Sequence, residues 1–340
     1  MKAEQKMKKE NCSHHVHLIA INWTQMCNLA KLDFKEEYNG KDQKRLPPID
    51  EFGNTVLHLA TQDDWPYGQV CYMLHSLKYK NTRNNFGLTP LHIIASKGKL
   101  KLCELILGCI EDKNPRDSVR RTPLHFAAKE GHLSVCELII KNVTDANPSD
   151  EHWQTPLHLA AGYGHLGICQ LLHLNAKIKN PKDKAGWTPL HFATEHNYYS
   201  ICKFIIEGYP LHLVANPKNN EFTTPLHRAA RHGHLEICDL ILKRLSEHHP
   251  RDMLGWTPLH FAAQGGDLKV CQTILNKFKD KNPIAGDGTT PIHLAAQNGH
   301  TSIFHLISES TSNINPKDIK GVTPLHVAAK EGPANMQNNY

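Results

Sequence analysis

The sequence predicts an all-α repeat solenoid, a stack of helix-turn-helix units joined by short hairpin loops. Three observations carry that prediction. A tetrapeptide, Thr-Pro-Leu-His, first stands in full at Thr89 to His92 and returns at Thr122, Thr155, Thr188, Thr224, Thr257, Thr290 and Thr323, once with Ile in the Leu position. A weaker copy, Thr55-Val56-Leu57-His58, precedes them, and the successive steps are 34, 33, 33, 33, 36, 33, 33 and 33 residues. A fixed period of this length counts stacked modules rather than separate globular domains. Most motifs are followed by two short apolar-periodic segments with a Gly between them, and most copies are preceded by an Asn-Pro pair eight residues ahead of the Thr.

The module at Thr122 parses most cleanly. Thr122 suits a helix N-cap, where its hydroxyl accepts a bond from an otherwise unpaired N–H, and Pro123 suits the first helical position. His125 falls on the first turn, where its ring bonds back toward the Thr or to an adjoining backbone. Ala127 and Ala128 leave room for a second helix to approach closely. Gly131 stops the helix by taking a left-handed conformation. Leu133, Val135, Cys136, Leu138, Ile139 and Ile140 give a second helix with a broad apolar face. Neither helix is long enough to be stable alone, so each needs its neighbours.

The Asn-Pro pair recurs at Asn114, Asn147, Asn180, Asn216, Asn282 and Asn315, with His249-Pro250 as the variant. Pro holds the preceding residue extended. The Asp that follows (Asp117, Asp150, Asp183, Asp252, Asp318) and the Gly two before the Thr (Gly186, Gly255, Gly288, Gly321) are turn residues. The unit is therefore two antiparallel helices plus a projecting hairpin.

Helix, turn, helix and hairpin at 33 residues, with Thr-Pro-Leu-His-x-Ala-Ala and Gly-His, resemble the ankyrin repeat over about five-sixths of the chain. The resemblance implies an ankyrin-type stack whose inner helices and hairpin tips line a concave surface, and a function in binding other proteins. The array spans residues 49–332, about nine repeats with the first and last atypical. In the first, Val56 replaces Pro, Thr61 replaces the second Ala, and Asp64-Trp65 replaces Gly-His. The longer step after Thr188, together with Asn197 in place of Gly, predicts a bulge or a change of curvature. Residues 1–48 stand apart, and Val16 to Ala20 with Cys27 to Leu32 are candidate helices of a degenerate capping repeat. Residues 333–340 are a polar tail, read as a truncated end or an improvised cap.

Ten cysteines and twenty-five histidines would point to a metal or redox protein if they clustered. They do not. Cys103, Cys136, Cys169, Cys202, Cys238 and Cys271 each lie fourteen residues after a motif Thr. Equivalent helices of neighbouring repeats sit roughly 8–10 Å apart, whereas a disulfide requires Cα atoms within about 7 Å. The ladder is thus a row of buried, reduced thiols, which implies a reducing compartment. One motif His per repeat cannot converge on an ion at about 2–2.3 Å, so these rings are hydrogen-bonding groups of the frame. No metal and no cofactor are expected. No nucleophile constellation or phosphate-cradling loop is visible, so no enzyme is expected either.

A net charge of +6 and a pI near 8.7 are compatible with acidic protein partners and fall short of a nucleic-acid-binding arm. No signal peptide or transmembrane run is visible. A monomer in the cytoplasm, with nuclear residence also open, is the expectation.

The resemblance places partner contacts at variable positions flanking the motif. Those hold Arg120, Arg121, His152, Trp153, Tyr163, Trp187, His196, Arg228, Arg231, His232 and Trp256, and Trp, Tyr and Arg are enriched in binding hot spots. Trp187 and Trp256 each sit in Gly-Trp-Thr-Pro-Leu-His, where packing of the hairpin base is an equal alternative. The expected function is a non-enzymatic scaffold or adaptor binding a partner protein along the concave face. The alternative is the targeting portion of a longer enzyme or channel.

Overall fold

The computed structural model describes residues 49–63, 65–76, 80–208, 216–245 and 249–331. The candidate capping repeat, the inserted segment after Gly208 and the polar tail lie outside the described residues. From residue 48 onward the chain forms a unit of its own. Among the described residues there are seventeen helices and no strand. The first helices of successive repeats are α1 (Val56–Gln62), α3 (Pro90–Ser96), α5 (Pro123–Glu130), α7 (Pro156–Gly162), α9 (Pro189–Glu195), α11 (Pro225–Arg231), α13 (Pro258–Gly265), α15 (Pro291–Gln297) and α17 (Pro324–Glu331). The second helices are α2 (Tyr67–Ser76), α4 (Leu100–Cys109), α6 (Leu133–Ile140), α8 (Leu166–Asn175), α10 (Tyr199–Gly208), α12 (Leu235–Leu242), α14 (Leu268–Lys277) and α16 (Thr301–Ser310).

Each first helix begins where the motif predicts, and the His does more than the sequence required of it. Thr122 and His125 form a reciprocal capping box, in which Nδ1 of His125 accepts the Thr122 N–H at 3.0 Å. The other ring nitrogen reaches into the next repeat. Nε2 of His125 lies 3.2 Å from the carbonyl oxygen of Gln154, 29 residues on. His92, His158, His227, His260 and His293 reach the carbonyls of Arg121, Trp187, Trp256, Thr289 and Val322 in the same way. A carbonyl only accepts, so Nε2 carries the proton and Nδ1 is the acceptor. Three of the Gly-His rings bond in the opposite direction: His132, His165 and His300 point Nε2 at the carbonyls of Ser96, Lys129 and Gln264 in the preceding repeat.

Gly131 ends α5 at φ +85°, and a Cβ there would meet the His165 ring at 2.6 Å. Asn197 takes the same left-handed conformation at φ +59° where the sequence lacks Gly.

Each hairpin is closed by a short backbone bond, such as Asp117 N–H to Arg121 O at 2.9 Å, and by side chains, without forming a strand. Oδ1 of Asp117 accepts the amides of Val119 and Arg121 at 3.1 and 2.7 Å. Neighbouring hairpins are joined by single backbone bonds, such as Ser118 N–H to Phe86 O and Glu151 N–H to Val119 O, both at 3.0 Å. The Asn of the Asn-Pro pair has a role beyond the turn. Oδ1 of Asn147 and Asn216 accepts the Leu157 and Leu226 amides at 3.1 and 3.0 Å, capping the next first helix from ten residues away. Arg116 and Arg251 each donate to a carbonyl of their own hairpin and to one of the next.

Leu124, Ala127, Ala128 and Cys136 are fully buried, with Val135 and Ile139 beside them. The small Ala pair lets first helices pack against one another over more of their length than second helices do. Burial pushes the thiols of Cys103, Cys136, Cys169, Cys202 and Cys271 up to about 12, and that of Cys238 up as well.

Candidate protein-binding face

The residue directly after Leu-His is the first variable position of the motif, and in most repeats the frame turns it partly outward, Phe261 and Leu294 being buried exceptions. Ile93, Phe126, Leu159, Phe192 and Arg228 are half-buried there, beside wholly buried neighbours such as Leu91 and Ala127. Hairpin residues rise next to them, so the face is a row of half-exposed side chains on rigid helices.

The eleven residues singled out by sequence lie along this row rather than in one site. Trp187, Arg228 and His232 are brought together by Glu195. The Arg228 guanidinium donates to Glu195 through Nε at 2.8 Å and Nη2 at 3.2 Å, and lies 4.8 Å over the Trp187 ring. Nε2 of His232 is 3.2 Å from the same carboxylate. Arg121 is clamped in the same style, with Nε and Nη2 both 2.8 Å from Asp117 Oδ2 and its carbon 4.7 Å over Phe126. A planar guanidinium fixed by carboxylate and ring together is pre-organised.

Trp187 and Trp256 pack on the histidine of their own motif, His191 and His260, at 5.5 and 5.7 Å, and on the adjoining Phe192 and Phe261. Both are half-buried at the hairpin base. Arg120 and Trp153, by contrast, stand exposed at hairpin tips in the left-handed region, φ +66° and +60°, where other repeats place Gly. Phe222 is the third such residue, at φ +58°. His152 is exposed beside Glu151 at 3.3 Å, and Arg231 is exposed at the end of α11. Tyr163 is half exposed under the Lys129 ammonium, and His196 stacks on Tyr198.

Sequence reasoning missed a groove farther toward the amino terminus. A cavity of about 300 Å³ opens between hairpins and α3, with Phe52, Phe86, Phe126 and Ile93 as its apolar walls. The Phe52 and Phe86 rings stack at 6.3 Å, and Phe126 meets His92 edge-on at 5.5 Å. The available signal was an aromatic three residues before the motif Thr, at Phe52 and Phe86.

Desolvation holds the motif rings neutral: His92, His158, His191 and His260 fall to about 4, and His125 and His227 to about 3. With both nitrogens engaged, these rings have none left for a metal. Among the described residues no group of His, Cys, Asp and Glu is placed to hold one, and no described helix is long and apolar enough to cross a membrane.

No curated protein matches the sequence. The family model described as ankyrin repeats (3 copies) matches residues 57–151, 124–215, 208–285 and 275–337. These overlapping matches run without a gap from residue 57 to 337, far more than half of the chain, across the capping boxes, paired helices and hairpins above. The chain belongs to the ankyrin repeat family.

Proposed function

We propose that this protein is a non-enzymatic scaffold or adaptor that holds a partner protein against its first-helix and hairpin face. Ankyrin repeats generally mediate protein–protein interaction, and the single observation that supports this use here is the clamped Arg228–Glu195–Trp187 group. It presents a guanidinium on a rigid helix beside an aromatic edge at the hairpin base, at positions the frame leaves free to vary. Pre-organised Arg and Trp of this kind lose little freedom on binding. The protein works as a monomer in a reducing compartment, the cytoplasm with access to the nucleus. It uses the same face whether it acts alone or targets a longer enzyme or channel.

The test is site-specific photo-crosslinking of the full chain in cells of its source. Crosslinkers replace the exposed Arg231 and Trp153 on the proposed face, and Glu137 and Lys269 on the second helices. Discrete protein adducts from the first pair alone are expected. Adducts that form only from the second helices, or nucleic acid as the captured species, would refute the reading.

A further inference from the structure

We infer that the aromatic groove beside α3 takes a large apolar side chain from an acidic segment of a partner protein; this rests on the protein-binding reading above. The groove is small for a cofactor cleft, at about 300 Å³. It suits a single aromatic or aliphatic anchor. Its rings are already in place: Phe52 and Phe86 are 46% and 53% exposed yet packed on each other, and Arg121 pins Phe126 from the other side.

Charge selects the sequence that carries the anchor. Residues 80–129 hold ten Lys and Arg against four Asp and Glu, while the rest of the chain holds 29 of each. Residues 49–79, which supply Phe52, Asn54 and Gln62 of the groove, hold four Asp and Glu against one Lys, so the stretch that builds the whole groove keeps a net charge of +3, concentrated on its 80–129 side. Of the carboxylates beside the groove, Asp117 is neutralised by Arg121. Asp50 bonds the neutral Phe52 and Asn54 amides and Glu51 is exposed on the Phe52 hairpin, so both keep their charge but are outnumbered by the cations on the facing hairpins. Arg83 and Arg116 donate to backbone carbonyls, which carry no charge to offset theirs, and Arg120 is exposed at the tip between them. Such a field steers an acidic segment toward the groove and repels a basic one.

A nucleic acid shares the negative charge but not the shape. Binding of single strands uses aromatic rings set apart so that successive bases stack on each. Here the two exposed rings lie against each other, 27° from parallel, leaving one apolar slot rather than a series.

The test uses the full chain and four fluorescein-labelled probes at about 50 mM salt. They are a dodecapeptide pool with central Trp and Glu/Asp-rich flanks, the same pool with Lys/Arg flanks, the acidic pool with central Gly, and a mixed-sequence single-stranded RNA. The acidic Trp pool should bind at least about tenfold tighter than the other three, a difference of about 1.4 kcal/mol. Its affinity should fall by about tenfold on raising salt to about 500 mM. Phe86→Ala and Arg120→Glu each alter an exposed side chain and should each weaken it by about fivefold or more. Circular dichroism confirms that each variant is folded, and Arg120→Glu stands alone if Phe86→Ala is not. Equal or tighter binding of the basic pool or the RNA overturns the inference. Binding unchanged by both variants but lost in Arg231→Glu also overturns it, while leaving the protein-binding reading intact. Absence of binding by every probe, with crosslinked adducts still forming at Trp153, overturns it too. Absence of both sinks the two together.

Discussion

Nε2 of His158 lies 3.1 Å from the carbonyl oxygen of Trp187, which belongs to the following repeat. The same ring accepts the Thr155 amide through Nδ1 at 3.1 Å. One buried side chain thus caps its own helix and bolts it to the next module. His158→Ala leaves a buried donor and a buried acceptor without partners, each costing about 1–3 kcal/mol. Urea unfolding should show the chain destabilised by about 2–4 kcal/mol. A midpoint equal to that of the unaltered chain would mean that the ring is not a bolt.

The same rings set a pH dependence. In the folded chain His92, His158, His191 and His260 titrate near 4 and His125 and His227 near 3 because burial disfavours the charged ring. In the unfolded chain they titrate near 6.5. Unfolding therefore takes up protons between about pH 6.5 and 4, and stability falls as pH drops through that window. Stability from this source is complete above about pH 7, and each ring contributes up to about 1.4 kcal/mol per pH unit below it. The urea midpoint at pH 5.0 should lie well below that at pH 7.5, and a flat or rising midpoint on acidification contradicts the assignment.

Six cysteines form a ladder through the core, all fully buried. Their raised thiol pKa leaves almost no thiolate at pH 8. A chromogenic disulfide reagent should modify them over hours or longer in the native chain and within seconds in guanidinium, whereas Cys71 and Cys109, both half-buried, should react before any of the ladder. Fast native reaction of Cys136 or Cys169, identified by peptide mapping, would place the ladder at the surface.

Trp153 and Gly186 occupy equivalent left-handed positions on successive hairpins, at φ +60° and +78°. An L residue pays about 1–2 kcal/mol there. Trp153→Gly should therefore raise the unfolding free energy by about 1 kcal/mol, since its side chain is 57% exposed and little burial is lost. Gly186→Ala should lower it by about 1–3 kcal/mol, because the new Cβ also meets Asn220 Oδ1 at 2.5 Å. Parallel thermal melts of the two variants check both signs.

Glu195 and Arg228 are coupled across 33 residues by a two-bond fork. Both side chains are about one-fifth to one-quarter exposed, so screening is incomplete. A double-mutant cycle with Glu195→Gln and Arg228→Met should return a coupling of about 0.5–1.5 kcal/mol. Additive effects would show the fork to be energetically idle.

Much of this was legible in the residues alone. Thr122, Pro123 and Gly131 carry the start and end of a helix in their own backbone preferences, and the step of 33 residues repeats those instructions at each module. The burial of Cys136 followed from its place on an apolar face, and the structural role of His125 from its spacing. These are local or periodic properties, and a periodic sequence states them many times. What tertiary structure decided are the contacts between unlike positions of neighbouring modules. The step of 33 does not reveal that His158 meets the carbonyl of Trp187, that Glu195 gathers Arg228 and His232, or that Asn147 caps α7. Nor does it reveal that Phe52, Phe86 and Phe126, from three different repeats, enclose one groove. Those pairings depend on how far a hairpin leans over the adjoining helix, and stacking fixes that angle only when all the modules pack together.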